Sequence, residues 1–312
     1  MNAASTTGCP RAVTLPGRPR AGEHTTEYDR YLGILRSHGG RPPLAEEVLA
    51  VQNAVLADLD DAALAAGDKA ALLVGIALAN RELLPAGSGV GQPPARAVPA
   101  GSTRGTRRVL LRWRLGHQLF HLCLHTMNLT LDRALCAVPA QRWARLETTL
   151  EELRLLYDAA AAAMAYSASY PPGGYQERIR PTTQPPCLSA AFSGTFDQDH
   201  RLMVELMHRL RTELRTAPTR CPVPERVTVA AQRLYDAERR NCARHLRICR
   251  RFVPAGASLL WQCLASPHEP ASPDRVDPAV EEPSVTTADT PAAAGAAEAG
   301  CMRSRRPGRS PA

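Results

Sequence analysis

RRVLLRWRLGHQLFHLCLHTMNLTLDRAL, residues 107 to 135, is the longest stretch of the chain with continuous helical periodicity. Apolar residues recur on one face at three- and four-residue intervals, which predicts a helix that packs along its length. A second periodic segment, residues 141 to 166, follows after a short turn at Pro139, and this spacing predicts an antiparallel neighbour. The pair predicts an all-α fold in the form of a helical bundle.

The rest of the chain extends this prediction to one helical domain, residues 24 to 265. Further helices are predicted from Thr25 to about residue 38 and at residues 46–59, 60–84, 199–214 and 224–252, and no strand is predicted. Pro- and Gly-rich composition predicts a mobile loop at 85–106, a long loop of possible functional importance at 167–196, and disordered tails at 1–23 and 266–312.

Charge and motifs exclude several classes of function. The formal net charge is +8, but Lys69 is the only lysine, and an excess of arginine over lysine is what codon bias in a GC-rich genome produces. The arginines are also interleaved with Asp and Glu, so no nucleic-acid partner is expected. The chain has no P-loop, no dinucleotide-binding glycine motif, no G-x-S-x-G and no H-E-x-x-H.

Cysteine usage and hydropathy indicate a cytoplasmic protein. The nine cysteines are too scattered for a disulfide framework, and no N-terminal apolar stretch resembles a signal peptide. The most apolar segment, residues 70–84, is too short for a membrane span. We therefore expect reduced thiols and no membrane-spanning helix.

Three histidines share one face of the predicted central helix. His117, His121 and His125 stand at i, i+4 and i+8, among leucines and a phenylalanine. A single histidine in such a position is often a boundary residue with a hydrogen-bond partner. Three together point to a ligand or to proton transfer, because every buried imidazole needs a partner and titrates near neutral pH when unperturbed.

DQDHRLMVELMHRL, residues 197–210, carries two more histidines on one predicted helix. His200 borders the apolar stripe formed by residues such as Met203 and Met207, whereas His208 lies toward the charged side. If one imidazole is buried against a cofactor, periodicity favours His200, while His208 is expected in solvent.

NCARHLRIC, residues 241–249, places Cys242, His245 and Cys249 at i, i+3 and i+7. One helical face could present these side chains to zinc, although no fourth ligand or knuckle-like turn is visible. The alternatives are small packed cysteines beside a surface histidine, and a non-haem regulatory module.

These segments together resemble one enzyme family. LLRWRLGHQLFHLCLH (110–125) resembles the helix of tryptophan 2,3-dioxygenase that carries a distal histidine followed by glutamine, with His117 in that place. GGYQERIRP (173–181) resembles the Tyr-x-x-Phe-Arg segment that binds the substrate carboxylate. DHRLMVELM (199–207) resembles the segment whose histidine is the axial haem ligand. The resemblance implies a bundle of the dioxygenase type enclosing a haem, with His200 as the iron ligand.

The chain departs from the dioxygenases in one region. It lacks their Gly-Thr-Gly-Gly-Ser loop and is shorter before His200, so it looks like the haem-dependent tyrosine hydroxylases of actinobacterial antibiotic pathways. That resemblance implies conversion of L-tyrosine to L-DOPA with hydrogen peroxide. The related 3-methyl-L-tyrosine hydroxylases add a His-x-x-x-Cys motif, which His245 to Cys249 fits. The haem is therefore expected to be b-type or held by one thioether through Cys249, and acid extraction would distinguish the two.

The resemblance also implies roles for other residues. His117 would move a proton between the peroxide oxygens, and Tyr175 and His121 would contact the substrate. Arg178 and Arg180 both remain candidates for the substrate carboxylate, with Arg178 slightly favoured, because the family spaces Tyr and Arg by four residues and here the spacings are three and five. Tyrosine, 3-methyltyrosine and tryptophan remain open as substrates, as does dioxygen in place of peroxide. A homodimer is expected from the family.

Overall fold

The longest helix, α4 (Arg104–Ala137), contributes to both large hydrophobic cores. Its first half buries Leu115 and Leu119 in a core shared with the N-terminal elements, and its second half buries Leu124 and Leu131 in a core shared with the C-terminal helices. Polar side chains on α4 are consequently buried too. The computed structural model describes residues 13–16, 23–37, 45–84, 104–189, 192–217 and 222–252.

The other long helices in those ranges are α1 (Glu23–Leu32), α2 (Ala45–Asp58), α3 (Ala66–Leu83), α5 (Trp143–Ser167), α7 (Gln198–Thr216) and α8 (Glu225–Phe252). Helix α5 packs against α3, α4 and α8, and α7 packs against α4. The all-α prediction is confirmed, and the helix bounds agree with the predicted ones within three residues except near the N-terminus and at the start of α3, which begins at Ala66 and not at residue 60. Within the described ranges no helix has both the length and the apolar character needed to cross a bilayer.

A small sheet near the N-terminus was not predicted. Strand β1 (Val13–Pro16) pairs in parallel with β2 (Ile34–Ser37), in a register that aligns Val13 with Ile34. The prediction of a tail was therefore wrong for residues 13–16, and the first helix ends at Leu32 instead of continuing toward residue 38. Strands of four residues are too short to leave a detectable alternating pattern in the sequence. Their parallel pairing is a tertiary contact, which no local pattern predicts.

The segment between α5 and α7 is a series of short helical turns. A single α-turn, α6 (Pro172–Gly174), leads into a π-turn at Tyr175–Ile179 and a 3₁₀ turn at Arg180–Thr182, and a further 3₁₀ turn lies at Gly194–Phe196. The predicted loop thus contains ordered turns, which are too short for a periodicity argument. The predicted mobile loop up to residue 103 and the tail from residue 266 lie outside the described residues.

Helix α2 is tied to α4 by a buried carboxylate. Asp58 accepts a hydrogen bond from Arg112 Nε at 2.6 Å, from Arg108 Nε at 2.8 Å and from the Tyr166 hydroxyl at 3.0 Å. Burial by itself raises the pKa of Asp58, but the bonds from the two arginines outweigh it, and the pKa lies below its usual value. The ion pairs of Asp58 with Arg108 and Arg112 hold the N-terminal half of α4 against the end of α2.

Gly116 allows α4 to approach α5 at its closest point. A Cβ atom on Gly116 would overlap the Cβ atom of Ser167 and lie 2.7 Å from the Ser167 Cα atom. The obstruction includes backbone, which a rotamer change cannot relieve.

Replacing Gly116 with Ala is therefore expected to lower the free energy of unfolding by about 1–3 kcal/mol, the usual cost of overpacking. Chemical denaturation measures the change. The matched control is Gly67→Ala, because nothing lies within 4 Å of the added atom there. Alanine at residue 67, in helix α3, should be neutral or stabilising by up to about 1 kcal/mol. Equal effects at the two positions would contradict the close approach.

Candidate functional site

His117, in the middle of α4, has a buried and neutral imidazole. Its Nδ1 atom lies 2.7 Å from the carbonyl oxygen of Trp113. Since a carbonyl only accepts, Nδ1 donates the proton and Nε2 keeps its lone pair. Burial lowers the pKa of His117 to about 3, although the Trp113 carbonyl opposes the shift.

An aromatic wall lies beside His117, with Phe192 at its centre. The ring centroid of Phe192 is 5.5 Å from His117, 5.5 Å from Trp113, 5.7 Å from Tyr31 and 4.9 Å from Tyr28, on which it stacks. These four partners come from α1 and α4, which lie far from Phe192 in sequence. The rings of Phe192, Trp113, Tyr31 and Tyr28 thus form an aromatic surface beside the His117 ring.

His200 lies in the first turn of α7, which is capped by Asp197. The Asp197 Oδ1 atom accepts the backbone N–H of Asp199 at 2.9 Å and that of His200 at 3.1 Å. The His200 side chain is partly exposed, and burial lowers its pKa to about 4, with smaller contributions from the nearby charges of His245 and His121. His208 is exposed, as periodicity predicts.

His245 and Cys249 reach the same region from α8. The Sγ atom of Cys249 is 3.4 Å from Nε2 of His245. The end of α8 is docked by Gln176 Nε2, which donates to the Phe252 carbonyl oxygen at 2.6 Å, and by Arg251, which donates to the Tyr170 carbonyl oxygen at 2.9 Å. Burial lowers the pKa of His245.

Electrostatic interactions connect the histidines of the three helices. Electrostatic repulsion from His245 contributes to the lowered pKa of both His117 and His200, so the three imidazoles lie within range of one another's charge. All three are neutral at ordinary pH, and a neutral imidazole is the form that binds a metal. Two or more imidazole donors with a thiol beside them fit the iron and the edge of a haem.

The π-turn at Tyr175–Ile179 distinguishes the two candidate arginines. In a π-turn the residue five positions on lies over the first, and the Arg180 N–H donates to the Tyr175 carbonyl oxygen. Arg180 is half-buried, and its charge opposes the burial that raises the pKa of Tyr175 to about 12. Arg178 is exposed to solvent. Arg180 therefore lies close to Tyr175 while Arg178 is exposed, and the assignment of either to a substrate carboxylate stays a prediction.

His121, one turn after His117 on α4, contacts two buried carboxylates. Its ring is fully buried, with Nδ1 3.0 Å from Asp199 Oδ2 and Nε2 3.5 Å from Asp197 Oδ2. Burial lowers the pKa of His121, but the two carboxylates outweigh it and raise the pKa above its usual value. Nδ1 is thus engaged by Asp199, whereas Nε2 makes no hydrogen bond to the described residues, and the expected contact with a substrate stays a prediction.

The zinc interpretation of α8 has no support from the geometry. In the part of the chain that the structure describes, the one group of three or more potential ligands close enough to share a metal ion is His121, Asp197 and Asp199. Cys242 does not join His245 and Cys249 in such a group.

Several residues of the region were not found from sequence. Asp197 carried a usable signal, since Asp directly before an apolar-periodic segment is a helix N-cap signature. Trp113 stands one turn before His117 and could have been found from helical spacing. Phe192 had no signal, because it lies in a non-periodic segment and meets α1 and α4 only in the folded chain.

Comparison with known proteins gives one family. The sequence model of the family described as SfmD 3-methyl-L-tyrosine peroxygenase matches residues 2–233. The match includes His117, Arg180 and His200, whereas His245 and Cys249 lie beyond it. No protein of curated function matches the chain significantly.

One solved structure is similar to the protein, a crystal structure of reduced SfmD soaked with sodium hydrosulfite. It is 22% identical, covers 71% of this chain and 75% of that chain, and has a TM-score of 0.48. Assignment to a family rests on the sequence model, which matches well over half of the chain. The protein belongs to the SfmD 3-methyl-L-tyrosine peroxygenase family.

Proposed function

We propose that this protein is a haem-dependent peroxygenase that hydroxylates the phenol ring of tyrosine or of a tyrosine derivative. The observation that carries the proposal is a set of three imidazoles on α4, α7 and α8 whose pKa values burial lowers and whose charges interact, with His117 beside an aromatic wall. Membership of a peroxygenase family supports the same reaction class.

The haem would be held by residues of α7 and α8. His200 would bind the haem iron, because burial lowers the pKa of its imidazole and keeps the ring neutral, while the residue stays partly exposed. His245 and Cys249 are the further candidates, with the Cys249 thiol suited to a single thioether link. When bound, haem supplies the activation of peroxide and the transfer of one oxygen atom.

His117 is the proposed acid–base residue. Its Nδ1 proton is held by the Trp113 carbonyl, so Nε2 is free to accept the proton of hydrogen peroxide and return it to the departing oxygen. The lowered pKa means that the ring is always in the accepting form before peroxide binds. His117 would thus work as a neutral base that is charged only transiently.

The aromatic wall and Arg180 would orient the amino acid. The rings of Phe192, Trp113 and Tyr31 suit a substrate ring through stacked or edge-on contacts and exclude water from it. Arg180 is the proposed partner of the substrate carboxylate, because a guanidinium can grip a carboxylate with two parallel hydrogen bonds.

L-Tyrosine and 3-methyl-L-tyrosine are the two substrates to compare. The resemblance of the motifs to tyrosine hydroxylases favours conversion of L-tyrosine to L-DOPA, whereas the description of the matched family favours the methylated amino acid. A tryptophan-type dioxygenase reaction is the remaining alternative from the wider superfamily.

Mixing haem-loaded protein with hydrogen peroxide and each aromatic amino acid tests the proposal. Mass spectrometry should find a product with one added oxygen atom from tyrosine or 3-methyltyrosine, and isotopically labelled peroxide should supply that atom. Omission of peroxide is the control. Haem-loaded protein that oxygenates no aromatic amino acid would contradict the proposal, as would a tryptophan product carrying two oxygen atoms.

Replacing Arg180 with Lys is expected to raise KM for the amino acid about 10- to 100-fold, the loss of about 1.5–3 kcal/mol of charge-assisted hydrogen bonding. Lysine keeps the charge but not the two parallel donors. Steady-state kinetics measures the effect, and Arg178→Lys is the matched control, which should leave KM unchanged because Arg178 is exposed. A larger effect at residue 178 would reverse the assignment.

A further inference from the structure

A chain of buried charged side chains connects the N-terminal elements to the first turn of α7. The side chains alternate between acidic and basic, and each is less than a tenth exposed. In order along the chain of contacts they are Asp29, Arg36, Asp199, His121 and Asp197. Charged groups of this kind are stable in a protein interior only when each is paired, so the chain acts as one unit.

Arg36 of β2 is the central link. Its Nε and Nη2 atoms each donate to one carboxylate oxygen of Asp29 at 2.8 Å, and Nη1 donates to Asp199 Oδ2 at 2.8 Å. A planar guanidinium holds its donors at fixed angles, so the carboxylates of α1 and α7 are kept at a set separation. A flexible ammonium could not bind both with the same geometry.

The carboxylate of Asp197, at the end of this chain of contacts, and the side chain of Asn128 hold the peptide group that precedes His200. The N–H of that peptide donates to Asp197 Oδ1 at 3.1 Å, and its C=O, which belongs to Asp199, accepts from Asn128 Nδ2 at 3.1 Å. Both polar atoms of one peptide plane are therefore bound to side chains. Only the helical φ of His200 and its two side-chain torsions separate this plane from the imidazole.

We propose that Arg36 and Asp199 are positioning residues that fix the direction of the His200 imidazole through the first turn of α7. The inference rests on the proposed function, in which His200 is the axial ligand of haem. Neither residue touches the haem or the substrate; each acts through the backbone of α7.

A metal ion among the same residues is a weaker interpretation. Ligand atoms of His121, Asp197 and Asp199 lie within 4.8 Å of one another. However, the Arg36 guanidinium already supplies positive charge to Asp199, and His121 bridges toward both carboxylates. Cationic partners are thus in place, and a further cation would be repelled by Arg36.

Replacing Arg36 with Met tests the proposal, with Arg112→Met as the matched control. Arg112 is comparably buried and also donates to a buried carboxylate, so both variants remove one arginine from such a group; Asp58 keeps Arg108, and Asp199 keeps His121. Arg36→Met should weaken haem binding about 10- to 100-fold, as loss of a ligand's supporting residue does, and give several ferric species in the electron paramagnetic resonance spectrum. Arg36→Lys should fall between wild type and Arg36→Met, while Arg112→Met should keep wild-type haem affinity and spectrum.

Hydrogen exchange in the haem-free protein provides a second readout. Peptides covering the first turn of α7 should exchange faster in Arg36→Met than in wild type and should be unchanged in Arg112→Met. Should Arg36→Met not fold, Asp199→Asn against Asp58→Asn decides the question by the same readouts. Equal exchange and equal haem affinity in the two members of either pair would overturn the proposal. A wild-type protein that binds no haem would instead overturn the proposed function. The exchange result would still decide whether Arg36 and Asp199 hold the first turn of α7 in place.

Discussion

Desolvation of imidazole is the constraint that decides what each histidine of this protein can do. Burial lowers the pKa of His117, His200 and His245, so each presents a neutral nitrogen at ordinary pH. His121 is more deeply buried, yet Asp197 and Asp199 outweigh burial and raise its pKa. The fold thus separates rings suited to bind a metal or accept a proton from a ring suited to an ion pair.

Helix α4 carries one histidine of each kind, because His117 and His121 lie one turn apart on it. The His117 ring contacts the aromatic wall around Phe192. The His121 ring takes part in the series of buried charged side chains that ends at Asp197, the N-cap residue of α7. The position of the proposed acid–base residue and that of the proposed iron ligand are therefore set by the same rigid element. Because both large cores include α4, displacement of this helix would disturb both positions at once.

Helical periodicity was sufficient to predict the long helices and to separate His200 from His208, because both are local properties of an amphipathic sequence. It could not predict the contact between Arg36 and Asp199, which are 163 residues apart in sequence. The parallel pairing of β1 with β2 was missed for the same reason.

The choice between Arg178 and Arg180 could not be made from sequence for a different physical reason. Spacings of three and five residues from Tyr175 are ambiguous unless the type of turn is known. The π-turn places Arg180, five positions after Tyr175, next to that residue. A single π-turn leaves no periodic signal in the sequence. Predictions from sequence are therefore weakest in the short ordered turns between α5 and α7, where the substrate is proposed to bind.

The central claim is that His200 holds a haem, and titration of haem into the purified protein tests it most directly. The Soret absorption of wild type and of His208→Ala should rise to one equivalent with the same affinity, because His208 is exposed. His200→Ala should lose stoichiometric binding or show a changed ligation spectrum. Haem binding that survives His200→Ala unchanged but is lost in His208→Ala, or a wild-type protein without a Soret band, would contradict the account.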